Sequence, residues 1–166
     1  MTSEIFPPFN PELDLKLDRF VDVPPELVYE AWTTPEHLKH WFCPKPWSVA
    51  ECELDPRPGG IFRTVMRSPE GQEFPDEGGC FLEVVPNRQL VWTSALRPGY
   101  RPAADVDLPF TAILSLTPEG TGTRYTAIAM HRDPAGRKTH ADMGFEQGWG
   151  TVLDQLVEYI KAGMAK

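Results

Sequence analysis

From His140 to Ile160 the chain reads HADMGFEQGWGTVLDQLVEYI. With 3.6 residues per turn, Phe145, Trp149, Val152, Leu153, Leu156, Val157 and Ile160 fall on one apolar arc. A helix with such a stripe must bury it, so whatever precedes it has to supply an apolar face. Thr139 followed by Asp142 has the spacing of an N-terminal capping signal. One helix from about 139 to Gly163, roughly six turns long, is therefore expected. Three glycines lie inside that span, at 144, 148 and 150. Each interior glycine costs about 1 kcal/mol relative to alanine. Gly144 and Gly148 are four apart and share a face, which implies close approach of another backbone or a void beside the helix.

The face for this helix to cover comes from upstream. Leu13, Leu15, Leu17, Val21 and Val23 alternate with Asp14, Lys16, Asp18 and Asp22, the pattern of a strand with one wet side. PPELVYEAWT then opens with prolines suited to a first helical turn, and TPEHLKHWF repeats the device with Thr34 as cap and Pro35 at the first helical position. Strand-like runs follow at 48–54, 61–67, 79–85, 90–96, 110–117 and 122–131, with turn chemistry at DPRPGG, SPEGQEF, VPNRQ and TPEGTG. Such intervals suit hairpins, so the sheet is expected to be antiparallel. The layout is strand, two short helices, six strands, long helix. Only the last helix is long and amphipathic enough to cover the sheet. A twisted antiparallel sheet curls, and a helix gripped in its concavity leaves a cavity between the two.

A chain of 166 residues suits one domain, 1–166, with the proline-rich residues 1–11 as a surface arm. Sixteen basic against 24 acidic residues give a net charge of −8, so nothing draws the protein to nucleic acid. The N-terminus lacks a basic region followed by an apolar run, and no stretch approaches a membrane span, so a cytoplasmic protein is expected. Cys43, Cys52 and Cys80 are odd in number and lack Cys-x-x-Cys spacing, which points to buried free thiols.

Four stretches, VDVPPELVYEAWTTPEHLKHWF, DPRPGG, PNRQLVWT and HADMGFEQGWGTVLDQL, resemble in order and spacing the Aha-type branch of the START-like (SRPBCC) superfamily. The resemblance covers about residues 12–162. It implies the α+β helix-grip fold, a curved antiparallel sheet of about seven strands around a long C-terminal helix. It also implies a site for a small apolar molecule, since members of the superfamily bind lipids, polyketides and similar compounds and only some are enzymes. The co-chaperone that lends the branch its name carries a further N-terminal domain for which this chain has no room, so a heat-shock-protein partner is not expected.

Candidate site residues follow from position. Trp32, Trp41, Phe62, Phe81, Trp92, Phe145 and Trp149 are plentiful where a cavity would lie and suit a hydrophobic or aromatic ligand. His131 ends the last strand and His140 falls in the first turn after the Thr139 cap, so the two imidazoles approach one mouth of the groove. At least one is expected to face the cavity, where a neutral ring accepts a ligand hydrogen bond or acts as a base. With Asp142 and Glu146 they make a metal set on paper only, and no metal or cofactor is expected. Arg19 lies in the apolar register of the first strand, to be paired with Glu53 or Glu83 or to anchor a ligand anion. RPGYRPAADVDLP, between Leu96 and Phe110, is longer than a hairpin needs and reads as a lid or a homodimer contact, with Tyr100 and Arg101 as its working side chains. Gly-x-Ser-x-Gly is absent, and Ser94 and Ser115 lie in strands without a histidine partner. The leading expectation is a binding protein for a small hydrophobic or aromatic molecule. The alternatives are an enzyme of hydrolase, cyclase or dehalogenase type in the same cavity, and a co-chaperone-like interaction module.

Overall fold

A computed structural model describes residues 8–164. Residues 1–7, most of the expected arm, lie outside the described residues. Strand β1 (Asp14–Val21) leads into helix α1 (Pro25–Thr33) and the single turn α2 (Pro35–Leu38). Strands β2 (Ser48–Leu54), β3 (Ile61–Arg67), the two-residue β4 (Glu73–Phe74), β5 (Gly79–Val85) and β6 (Gln89–Thr93) follow. A short ribbon, β7 (Leu96–Arg97) and β8 (Arg101–Pro102), precedes the long strands β9 (Phe110–Glu119) and β10 (Gly122–His131). Helices α3 (Pro134–Asp142) and α4 (Phe145–Lys161) close the chain.

The main sheet runs β1-β10-β9-β6-β5-β3-β2, antiparallel throughout, with β4 paired to β3. Its curled inner face is α+β helix-grip architecture, as expected. Alternation sets which residues face in: Leu15 and Leu17 of β1 stand opposite Ala129 and Ala127 of β10, and all four are buried. These alanines, with Ala112 on β9, keep the middle of the inner face shallow. Leu153, Leu156 and Ile160 of α4 join them in one buried cluster. Asp14, expected on the wet side of β1, is buried instead and accepts the Asn10 N–H at 2.9 Å. Val28, Ala31 and Trp32 form the inner face of α1. Gln155 of α4 holds the chain after α2, donating to the carbonyls of Trp41 (2.9 Å) and Cys43 (2.8 Å) and accepting the Lys45 N–H (3.0 Å). Cys43 and Cys80 are buried, whereas Cys52 is only half-buried; all three are free. No helix among the described residues is long and apolar enough to cross a membrane.

The expected single C-terminal helix is two helices. Gly144 adopts φ 91°, in the left-handed region, and breaks the run between α3 and α4. Thr139 is not a cap: it sits inside α3, its hydroxyl donating to the Ala135 carbonyl at 3.0 Å. The start of α3 is Asp133, whose carboxylate accepts the Gly136 N–H at 2.7 Å, with Pro134 in the first helical position. His140 therefore occupies the last turn of α3 rather than the first turn of a long helix. Asp142, free of any capping duty, pairs with Lys138 one turn earlier.

Candidate functional site

Between α4 and the inner face of the sheet lies a cavity of about 390 Å³. Period-two alternation delivers Phe62, Thr64 and Met66 of β3 to it together, and the same parity brings Trp92 on β6 and Tyr125 on β10. Helix α1 contributes Trp32, and the N-terminal part of α4 contributes Phe145, Gly148, Trp149 and Val152. The aromatic rings form a continuous wall. Trp92 stacks on Phe62 with centroids 4.2 Å apart and planes 6° apart. Phe110 meets Trp92 edge-on at 5.6 Å, and Phe145 lies 4.6 Å from Trp149. The glycines now separate by role. A Cβ on Gly148 would meet nothing within 4 Å, so this glycine borders open space; at Gly150 it would collide with the Arg19 guanidinium.

Few polar groups reach this space. The indole N–H groups of Trp32 and Trp92 are buried without a hydrogen-bond partner among the described residues. The Trp32 N–H stands near the Tyr125 hydroxyl but outside hydrogen-bond geometry; burial pushes that phenol far up, and the indole only partly offsets it. Ser94 is engaged, its hydroxyl accepting the Phe110 N–H at 3.1 Å. Arg97, at the cavity edge, donates to the Gly78 carbonyl at 3.1 Å. The two histidines touch: His131 Nε2 and His140 Nδ1 are 2.9 Å apart, and His131 Nδ1 is 2.8 Å from the Leu13 carbonyl oxygen. Burial, reinforced by the neighbouring His131, lowers the His140 pKa to about 4. His140 lies against Phe110 (4.8 Å) and Phe145 (5.2 Å).

Of the residues singled out by sequence, Trp32, Phe62, Trp92, His140, Phe145 and Trp149 line the cavity. Trp41 and Phe81 do not; they are buried behind the wall, Trp41 edge-on to Trp32 at 5.0 Å and Phe81 edge-on to Phe62 at 5.5 Å. His131 borders a second hollow on the other side of Phe110 and reaches the cavity only through His140. Arg19 is turned away, paired with Asp154 of α4 at 2.8 Å, while its expected partners Glu53 and Glu83 face Arg63 and Gln89. Tyr100 and Arg101 are exposed and do not line the cavity, Tyr100 lying over Gly59 of the DPRPGG turn; of the segment between Leu96 and Phe110, Arg97 alone among the described residues borders the cavity. Phe42, beside Trp41 among the aromatics that follow α2, lines the cavity too, whereas Met66, Phe110, Tyr125 and Val152 were not singled out. Strand parity was the signal for Tyr125, which shares the face of Ala127, Ala129 and His131. Val152 was legible from its place on the arc of α4.

A family model described as "Activator of Hsp90 ATPase homolog 1-like protein" matches residues 22–161. No curated protein matches the chain. Among solved structures, a protein from Nitrosomonas europaea is 52% identical with a TM-score of 0.89, covering 95% of this chain and 100% of its own. A Rhodobacter sphaeroides protein shares the fold at 22% identity and TM-score 0.78, over 93% and 96% of the two chains. An AHSA1-like protein from Aeromonas hydrophila does so at 19% and 0.68, over 92% and 96%.

Proposed function

The chain belongs to the activator of Hsp90 ATPase homolog 1-like family, and from that premise and the lining of its cavity we propose that it binds a small, largely aromatic molecule between α4 and the sheet. One observation carries the reading: an aromatic-walled space of about 390 Å³ in which the lining residues Trp32 and Trp92 keep buried N–H groups without partners among the described residues, that of Trp32 standing near the Tyr125 hydroxyl. A buried unpaired donor costs about 1–3 kcal/mol, and a ligand acceptor would remove that cost. The volume falls within the roughly 300–1,000 Å³ typical of small-molecule sites. Catalysis has less to stand on, because Ser94 is held by the Phe110 backbone, and His140, its pKa lowered to about 4, is a weak base at neutral pH.

The test is titration with the uncharged fluorophore N-phenyl-1-naphthylamine, read by its emission and by tryptophan quenching. Saturable one-to-one binding is expected in the wild type, with at least tenfold weaker binding in Gly148→Leu, whose side chain enters the open space. Absence of saturable binding, or equal binding by a folded Gly148→Leu protein, would overturn the proposal.

A further inference from the structure

With both rings neutral, the hydrogen-bond chain through the two histidines fixes which nitrogens carry the protons. The Leu13 carbonyl oxygen can only accept, so His131 Nδ1 carries a proton and donates to it. In a neutral His131 ring, Nε2 is then a bare lone pair. His140 Nδ1, 2.9 Å from that lone pair, must carry its own proton and donate. His140 is held neutral by burial and by the ring beside it, which leaves its Nε2 unprotonated. That nitrogen has no hydrogen-bond partner among the described residues, and His140 lines the cavity. Among the described residues, the two charged ones at the cavity are engaged at Gly78: Arg97 donates to its carbonyl, and Asp76 accepts its N–H at 3.1 Å. Besides His131, the flat apolar rings of Phe110, Phe145 and Trp149 stand against His140.

We propose that His140 Nε2 accepts the hydroxyl proton of an uncharged phenol-class ligand in a hydrogen bond, with the ligand ring lying among the aromatic side chains of the cavity and His131 positioning the acceptor. This rests on the cavity being a ligand site and specifies which ligand it takes. The hydrogen bond is not a proton transfer. A ring with so low a proton affinity is a poor general base at neutral pH, so the site selects a donor and leaves it intact. An ionised phenolate has no proton to offer and meets a lone pair instead.

Two probes of nearly equal shape separate the possibilities: 2-naphthol, which donates, and 2-methoxynaphthalene, which does not. In the wild type, 2-naphthol should bind about tenfold more tightly, the scale of one hydrogen bond whose buried acceptor 2-methoxynaphthalene leaves unpaired. In His140→Phe the preference should fall to about twofold or less while both probes still bind. Nitrogen-15 spectra of the wild-type histidine rings supply a readout that needs no variant: the unprotonated Nε2 resonance of His140 should shift on adding 2-naphthol and stay in place with 2-methoxynaphthalene. His131→Phe should lose the fixed tautomer in those spectra and most of the preference, and His131→Asn, whose side-chain carbonyl can accept from Nδ1–H, should restore both. If 2-methoxynaphthalene binds and 2-naphthol binds no better, or if the preference survives in His140→Phe, the phenol assignment is overturned and the cavity reading stands. If neither probe binds, both fall. Should His140→Phe fail to fold, a motionless Nε2 resonance in the wild type is sufficient to overturn the assignment.

Discussion

At His140 opposing fields act on one proton. The ring stands in the last turn of α3, where unpaired carbonyls favour a positive charge by about 0.3–1 kcal/mol. Burial and the adjacent His131 disfavour it and prevail, lowering the pKa from 6.5 to about 4. An unfolded chain restores the ordinary value, so between pH 6.5 and 4 the unfolded state binds a proton that the folded state refuses. The stability this contributes is complete above the ordinary pKa and is lost as the pH falls toward 4; at about 1.4 kcal/mol per pKa unit it amounts to about 3 kcal/mol. Urea denaturation at pH 7, 5.5 and 4.5 should show a flatter pH dependence in His140→Phe than in the wild type. Parallel curves would show that the ring titrates normally in the folded protein. The cysteines carry a similar signature: burial pushes the Cys43 thiol up to about 11 and Cys52 up to about 12. Both should react with a disulfide reagent at pH 8 far more slowly in the native protein than in urea, because the thiolate is the attacking form. A native rate matching the urea rate would contradict that.

Within the C-terminal elements, three glycines that look alike in sequence behave differently under substitution. Gly144→Ala places a side chain at φ 91° and should cost about 1–2 kcal/mol. Gly148→Ala meets nothing and should stabilise by up to about 1 kcal/mol through helix propensity. Gly150→Ala must displace the Arg19 guanidinium from its place beside Asp154. An exposed pair of this kind contributes under about 1 kcal/mol, so loss and propensity gain should nearly cancel. Thermal denaturation of the three variants should therefore rank Gly148→Ala above the wild type and Gly144→Ala below it; equal effects at 144 and 148 would remove the distinction between joint and void. The joint was hard to read because Thr139 and Asp142 imitate a capping signal three residues apart. Two better signals were present: the apolar arc starts only at Phe145, and Asp133-Pro134 repeats the cap-then-proline start that correctly marked α2 at Thr34-Pro35. A glycine's dihedral angle is set by the elements on either side, and residue type alone does not reveal it.

Taken as a whole molecule, the protein carries an apolar space that the side chains of the described residues do not fill, and an occupant should stabilise it. A ligand at one hundred times its dissociation constant adds about 2.7 kcal/mol, or roughly 5–10 °C in melting temperature for a chain of this size. Differential scanning fluorimetry with a bound aromatic probe measures this, and a melting temperature that stays constant under saturating probe would show that binding lies outside the cooperative fold. The sheet was legible because alternation and turn residues act locally: β2, β3, β5 and β10 match their expected bounds residue for residue. The cavity was legible by halves. Aromatic content located its wall, but whether Phe81 or Tyr125 faces inward depends on strand register and curvature, and Arg19 found a partner 135 residues away. The single residue Gly144 has a consequence at this scale. Helix α3, seated on β1 and β10, carries the polar end of the cavity, and α4 carries its apolar roof. Because the two rods meet at a joint, changes along α4 can resize the chamber while the imidazole keeps its station: under the proposed binding role, the size of the guest and the hydrogen bond asked of it would be tuned by different helices.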